Sequence, residues 1–122
     1  MTGIVIFAHG SSVETANEAV RVISRNVASA GGFPLASTAF LEMGQPDLPT
    51  AVEQLRAQGA TKIIVLPYFL TTGIHLKRDL PRIVSEILEI QKGISIEIAP
   101  PLDGHPALES ILLDRAKEAL QK

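Results

Sequence analysis

Residues 3–12 read GIVIFAHGSS, an apolar run that ends directly in a histidine, a glycine and two serines. An unbroken apolar run of this length, rich in β-branched residues, is typical of a parallel strand covered on both faces. No lysine or arginine precedes it, so we expect a first strand and not a signal peptide. The polar residues that follow stand where open α/β sheets bind their ligands, just beyond the carboxyl end of a strand.

Outward from this strand, apolar residues at three- and four-residue spacing predict four helices. The first stripe runs from Val13 to Ala30, and the glycine pair 31–32 is expected to end it, because glycine tolerates the left-handed conformation. A second helix is predicted to begin near Asp47. In the third stripe, Pro81 predicts that the regular helix begins just before that residue. The last helix is predicted over 106–120.

The other apolar runs predict three further strands, over 34–41, 62–69 and 94–98. Proline cannot donate to a central ladder, so Pro67 is expected at the end of its strand. The order of elements is then βαβαβαβα, and its short connections require parallel strands with right-handed crossovers. The sequence therefore predicts an α/β fold, a three-layer α/β/α sandwich around a four-stranded parallel sheet, in a single domain spanning residues 1–122.

The composition excludes several functional classes. A net charge of −2, with four Phe, one Tyr and no Trp, disfavours a nucleic-acid partner. With no cysteine, disulfides and thiolate metal sites are impossible. No apolar run reaches the roughly 18 residues of a membrane span, so no membrane partner is expected and the predicted location is cytoplasmic. A small molecule or another protein remains as the ligand.

Three polar side chains, each from a different segment of the chain, are predicted to lie at the same edge of the sheet. His9 follows the first strand, Glu42 the second and His75 the third. A single loop histidine is more often structural, but three convergent segments favour a functional site. Imidazole and carboxylate suit divalent cobalt, nickel and iron, and histidine also accepts protons near neutral pH. We predict function for His9 and His75, whereas His105, between a glycine and a proline, is expected to cap a helix or form a turn.

Other polar residues near this edge have two interpretations each. Ser11 and Ser12 are expected to open the first helix, either attracting an anion or simply capping the N-terminus. In the loop 70–75, Thr71 and Thr72 offer hydroxyls, and Gly73 lets the backbone approach a ligand closely. Asp79 could orient an imidazole or be a favoured first-turn charge. Lys77, Arg78 and Arg82 could pair with ligand carboxylates or form a solvated helix face.

Taken together, five short motifs resemble those of the short-form CbiX/SirB family, the class II sirohydrochlorin chelatases. They are His-Gly-Ser at 9–11, Phe-Leu-Glu at 40–42, Pro-Tyr-Phe-Leu at 67–70, Gly-Ile-His at 73–75 and Arg-Asp-Leu-Pro at 78–81. Each motif is modest alone, whereas the set in this order and spacing is specific and spans essentially the whole chain.

The resemblance implies ATP-independent insertion of a divalent metal into sirohydrochlorin, in cobalamin or related tetrapyrrole synthesis. Cobalt is the expected metal substrate, with nickel or iron as alternatives, and no permanently bound cofactor is expected. His9 would be proton acceptor and metal ligand, His75 the second metal ligand, and Glu42 an assistant with metal or protons. The macrocycle would contact Gln45 and the loop residues Leu70, Thr71, Thr72, Gly73, Ile74 and His75, with Ser11 nearby.

The family pattern also implies a homodimer, because long-form relatives fuse two such domains. This chain departs from some archaeal relatives, which carry Glu where Gln45 stands and a histidine-rich insertion near 91–94. That difference puts metal storage or delivery in doubt and leaves the core chemistry intact.

Rival functions are less well supported by the sequence. Histidine phosphatases place Arg directly before His-Gly, where this chain has Ala8. Neither the phosphate-binding G-x-x-x-x-G-K-[ST] loop nor the dinucleotide motif G-x-G-x-x-G occurs, and the hydrolase elbow G-x-S-x-G is missing too. A non-catalytic metal or tetrapyrrole carrier on the same scaffold stays open, because binding and insertion need the same ligands.

Overall fold

The computed structural model of the protein describes residues 1–71 and 73–121, and in that range all but the side chain of His75. The predicted contacts of Thr72 and of the His75 imidazole therefore lie outside the described residues. Eight elements alternate along the chain, as predicted: β1 (Thr2–Ala8), α1 (Glu14–Gly31), β2 (Leu35–Phe40), α2 (Leu48–Ala57), β3 (Lys62–Tyr68), α3 (Ile74–Ile90), β4 (Ser95–Ile98) and α4 (Pro106–Leu120).

The four strands form one parallel sheet in the order β2-β1-β3-β4, which confirms the predicted fold class. β1 is central, and its Val5 pairs with Ser37 on one side and Val65 on the other. The chain first moves from β1 outward to β2 and then crosses back to β3. The strand order thus reverses between β1 and β3, and a ligand site is expected beyond their carboxyl ends.

One face of the sheet carries the main hydrophobic core. α2 and α3 cover it with regularly spaced apolar side chains that pack on β1 and β3. The buried members of this core are Val5, Phe7, Leu35, Ala39, Leu48, Ala51, Val52, Leu55, Ala60, Ile63, Val65, Leu80, Val84 and Ile87. Burial of this continuous apolar surface holds the strand ends at fixed positions.

The opposite face is covered less completely. α1 packs on it over β1, where Ile4, Ile6 and Ala8 are buried. Along β3, burial alternates, so that Ile64 and Leu66 remain half-exposed while their neighbours are buried. No residue of α4 is buried among those that the structure describes.

The ends of the helices test several predictions. Gly32 adopts the left-handed conformation after α1, with φ of 69°, and the carboxylate of Asp47 accepts a 2.9 Å hydrogen bond from Thr50 N at the start of α2. Both predictions are confirmed. Pro67 is the second-last residue of β3, beyond the last β3–β4 pair at Val65, which confirms its expected place.

The prediction for α3 was wrong, because the helix begins at Ile74 and Pro81 lies inside it. An internal proline removes one backbone hydrogen bond and costs about 3 kcal/mol in an isolated helix. Here Pro81 is exposed, while Leu80 and Val84 on the inner side are buried in the core. Tertiary packing therefore stabilises the helix on both sides of the proline. Helix propensity, which is a local property of the sequence, does not include this contribution.

Within residues 1–71 and 73–121, no helix combines the length and apolar character that a membrane crossing requires.

Candidate functional site

His9 and Glu42 meet at the carboxyl edge of the sheet, as the sequence predicts. His9 directly follows β1, Glu42 is the second residue after β2, and 3.1 Å separates Nε2 of His9 from Oε1 of Glu42. Their side chains are 54% and 58% exposed, so the pair stands in contact with solvent and is open to a ligand.

The imidazole of His9 is placed between two oxygen acceptors. Its Nδ1 lies 3.1 Å from the carbonyl oxygen of Gly10, and its Nε2 faces the Glu42 carboxylate. A neutral imidazole has one N–H and can donate to only one of them, whereas the imidazolium can donate to both. A neutral ring is therefore held by a hydrogen bond to one of the two oxygens, while the other oxygen lies beside the ring nitrogen that carries no proton.

The backbone holds this pair in register. Leu41 N donates to Ala8 O at 2.9 Å and Glu42 N donates to His9 O at 3.0 Å, so backbone hydrogen bonds join the two loops directly beyond the last β1–β2 pair, Ala8 and Phe40. Gly10 has φ of 95°, and a Cβ there would come within 1.7 Å of Glu42 O. Only glycine permits this approach. The His-Gly pair was a visible signal for this role, which sequence reasoning missed.

Asn17 is a second residue that sequence reasoning missed. It is buried on the first turn of α1, and its Oδ1 accepts from Ser11 N at 2.9 Å. Its Nδ2 donates to Ser11 O and Met43 O, each at 2.9 Å. Asn17 thereby ties the loop after β1 to the loop after β2. An isolated Asn in a helical pattern offers no sequence signal for such a tie.

Ser11 was expected to open α1, and the structure corrects this. The residue at the N-cap is Val13, and no described side chain caps that turn. Ser11 Oγ instead accepts from Val13 N at 3.0 Å in a local turn before the helix. A serine hydroxyl and the backbone two residues on form such turns readily, which competes with capping. Substrate binding by Ser11 stays a prediction.

An open cleft of about 280 Å³ lies beside His9. It is lined by His9, Leu41, Phe69, Thr71, Gly73, Leu76 and Asp79. The structure thus brings together the residues predicted from β1 and from the loop before α3. Leu70 and Ile74 are exposed at the edge of the sheet and do not line the cleft. Gln45 does not line it either; its carbonyl accepts from Arg21 Nη2 at 3.2 Å.

The first turn of α3 borders this cleft. Gly73 is the N-cap, and His75 is the second residue of the helix. The backbone of His75 is therefore on the predicted edge, between Gly73 and Leu76, which both line the cleft. Among the side chains that the structure describes, no three of the types His, Asp or Glu form a group able to hold a metal ion.

Asp79 lines the cleft from the second turn of α3. Its Oδ1 lies 3.3 Å from Arg78 Nε and 3.9 Å from Arg82 Nη2, and Arg82 also pairs with Glu86 at 3.0 Å. These cations thus pair along their own helix, as a solvated helix face does. The predicted orienting role of Asp79 toward the second imidazole lies outside the described residues and stays a prediction.

His105 is a helix-capping residue, as expected. It stands at the N-cap of α4, and its Nδ1 accepts from Ala107 N at 3.0 Å. It does not line the cleft beside His9.

Known proteins are similar to this chain in sequence and in fold. A sirohydrochlorin cobaltochelatase of Methanopyrus kandleri is 29% identical to this chain, and the match covers 98% of each protein. A sirohydrochlorin cobaltochelatase of Saccharolobus islandicus (strain L.S.2.15 / Lassen #1) is 33% identical, and the match covers 100% of this chain and 98% of the relative. Among solved structures, a protein of Marinobacter aquaeolei VT8 described as a CbiX protein of cobalamin (vitamin B12) biosynthesis superposes with a TM-score of 0.84 at 30% identity, covering 99% of this chain and 98% of the other.

A second solved structure is SirB of Bacillus subtilis subspecies spizizenii in complex with cobalt. It superposes with a TM-score of 0.88 at 26% identity, and the match covers 96% of this chain but 50% of SirB. The family model described as CbiX matches residues 3–119. A match over nearly the whole chain, on the predicted fold and with His9 at the predicted edge, establishes that the chain belongs to the CbiX family.

Proposed function

We propose that this protein is a chelatase that inserts a divalent metal ion into sirohydrochlorin without ATP, with cobalt as the preferred candidate for the metal. The observation that carries the proposal is the His9–Glu42 pair, whose Nε2 and Oε1 atoms are 3.1 Å apart; its His9 lines a cleft at the carboxyl edge of the sheet. Cobalt is placed first because relatives that align over nearly their whole length are named sirohydrochlorin cobaltochelatase.

The separation of the two side chains suits a shared metal substrate. An ion about 2.1 Å from both Nε2 of His9 and Oε1 of Glu42 would have an N–metal–O angle of about 95°. That angle is close to the right angle between adjacent positions of an octahedral ion. We propose that His9 and His75 hold the incoming ion and that Glu42 either completes this set or accepts a proton.

Metal insertion also requires proton removal. Two pyrrole nitrogens carry protons, and both must leave before four nitrogens can bind the ion. We propose that, as the ion passes from His9 to the ring nitrogens, the freed Nε2 of His9 accepts the two pyrrole protons one after the other. Glu42, in contact with the same nitrogen, stabilises the imidazolium or takes each proton onward to water. Both side chains are more than half exposed, so the proton can leave directly to water.

The cleft is too small to enclose a whole tetrapyrrole. At about 280 Å³ it lies at the lower limit of small-molecule pockets, which is roughly 300 Å³. We therefore propose that the macrocycle lies over the edge of the sheet, in contact with Thr71 and Gly73, and that a second copy of the chain completes the pocket. We propose that the exposed residues Gln45, Leu70 and Ile74 contact the macrocycle beyond the cleft. The proposal includes a cytoplasmic location.

A metallation assay tests this function. Sirohydrochlorin absorbance would be followed with Co²⁺, Ni²⁺ or Fe²⁺, with and without protein, at substrate in large excess. A chelatase converts many equivalents faster than the spontaneous reaction, whereas a carrier stops at one equivalent. His9→Ala should abolish the acceleration, and His105→Ala serves as the matched histidine control because it caps α4 outside the cleft. Full activity of the His9→Ala protein would reject the proposed roles.

A further inference from the structure

A second cavity adjoins the cleft beside His9 and lies between α3 and the end of β4. It measures about 180 Å³ and is lined by Lys77 and by apolar residues of β3, α3, β4 and the segment after β4. Leu76 lines both this cavity and the cleft, so the two spaces are neighbours at the first turn of α3. We call the second cavity the Lys77 pocket.

The walls of the Lys77 pocket are apolar and rigid. Pro67, Pro81 and Pro101 line it with rings that restrict the backbone, and Leu80, only 4% exposed, belongs to the main core. At about 180 Å³ the pocket is well below the roughly 300 Å³ of sites that enclose a whole small molecule. Its size and its surface therefore suit one short aliphatic arm of a larger ligand.

Lys77 is the charged residue of this pocket. Its side chain is exposed, and no carboxylate that the structure describes forms an ion pair with its ammonium group. Arg78 and Arg82 of the same helix differ in this respect, because both contact the Asp79 carboxylate. A lysine can lay its methylene stem along an apolar wall while the ammonium group stays at the surface. The Lys77 ammonium is therefore free to bind an anionic group at the mouth of the pocket.

We propose that the Lys77 pocket binds one carboxylate arm of the tetrapyrrole, with its methylene groups against the apolar walls and its carboxylate paired with the Lys77 ammonium. The inference rests on the proposed function, because sirohydrochlorin carries acetate and propionate arms around its ring. A ring that lies over the cleft beside His9 has part of its rim at the first turn of α3, where Leu76 separates the cleft from the pocket. The positive end of the α3 dipole adds to the attraction for a carboxylate there.

The role of Lys77 is to bind and position the substrate. The arm that it holds is remote from the ring nitrogens that exchange protons for metal, so the contact is made equally before and during insertion. An interaction of this kind lowers KM and leaves the chemical step unassisted. It also acts on the metal-free macrocycle, so that its contribution can be measured by binding alone.

Binding of metal-free sirohydrochlorin, followed by its fluorescence, tests the ion pair. We expect Lys77→Met to raise the Kd roughly 3- to 5-fold at low salt, as the loss of an exposed ion pair does. The difference should shrink at high salt, and Lys77→Arg should restore most of the affinity. Lys62→Met is the matched control, since Lys62 is an exposed lysine at the opposite end of β3, and its Kd should equal that of the natural protein.

Ala99→Leu tests the pocket separately, because Ala99 lines it and a larger side chain would fill it. We expect weaker binding of sirohydrochlorin by a variant whose circular dichroism is that of the natural protein. Natural affinity in a folded Ala99→Leu protein would overturn the occupation of the pocket.

The lysine variants distinguish the failure of this inference from that of the proposed function. An unchanged Kd in Lys77→Met, or an equal increase in Lys62→Met, would overturn the role of Lys77 while the natural protein still metallates sirohydrochlorin. A natural protein that neither binds nor metallates sirohydrochlorin would reject the proposed function and this inference with it.

Discussion

The carbonyl oxygen of Glu42 occupies the space that a Cβ atom of residue 10 would need, only 1.7 Å from its ideal position. Gly10 also has φ of 95°, a conformation that L side chains rarely adopt. The loops after β1 and β2 are thus in backbone contact at the point where they present His9 and Glu42. The distance between these two side chains depends on that contact.

Replacing Gly10 by Ala should push the two loops apart. We expect a loss of at least about 2 kcal/mol in the free energy of unfolding, from backbone strain and the clash together, and a larger relative loss of chelatase activity. Urea titration and the metallation rate measure the two effects. Gly93→Ala is the control, since φ there is 84° but a Cβ meets nothing within 4 Å. Equal losses in both variants would contradict the role of the contact.

Glu42→Gln should keep the fold and impair the site. The amide can still contact His9 but cannot stabilise an imidazolium or bind a cation as a carboxylate does. We expect the metallation rate to fall roughly 10- to 100-fold, as partners of catalytic histidines and metal ligands usually show, with an unchanged urea midpoint. Glu53→Gln, on the exposed side of α2, is the matched control. A wild-type rate in Glu42→Gln would remove Glu42 from the mechanism.

Asn17→Ala should destabilise the protein from a position outside the cleft. The change leaves the Ser11 N–H and the carbonyls of Ser11 and Met43 without their buried partner. Unsatisfied groups of this kind cost about 1–3 kcal/mol each, so we expect a total loss of roughly 3 kcal/mol in urea unfolding. Asn26→Ala, an exposed Asn on the same helix, should have little effect. Similar losses for the two variants would argue against the tie between the loops.

Acid should weaken the surface network on α1. The hydrogen bond from Arg21 lowers the pKa of Glu14 below its ordinary value of 4.5, and that from Arg25 lowers the pKa of Glu18. A depressed carboxyl pKa contributes stability above 4.5 that is lost as the pH falls through the folded-state pKa. We therefore expect the Arg21→Met protein to lose less stability than the natural protein between neutral and acidic pH.

Urea titrations at several pH values measure this difference. Because both carboxylates are more than half exposed, the effect should be small and should shrink further at high salt. Arg56→Met, which removes a pairing with Glu53 on α2 instead, is the comparison variant. A pH dependence of Arg21→Met identical to that of the natural protein would show that the network contributes nothing.

The parts of the fold that could be predicted from the sequence are those with a periodic apolar pattern. Apolar runs and stripes carry their own period, so the eight elements, the parallel sheet and the meeting of His9 with Glu42 could be predicted. The predicted start of α3 was wrong because the burial of Leu80 and Val84, a tertiary effect, outweighs the unfavourable helix propensity of Pro81. Asn17 and Gly10 were missed because their roles depend on loops that are distant in sequence and meet only in the fold.

A backbone hydrogen bond between the loops after β1 and β2 joins Glu42 to His9. Glu42 N donates to His9 O directly beyond the last β1–β2 pair, Ala8 and Phe40, so the two backbones are expected to move with the end of the sheet. The backbones that carry the imidazole and the carboxylate should therefore stay together until the whole domain unfolds. Slow amide exchange at Glu42 N, at the rate of global opening, is the signature expected of such a rigid pair.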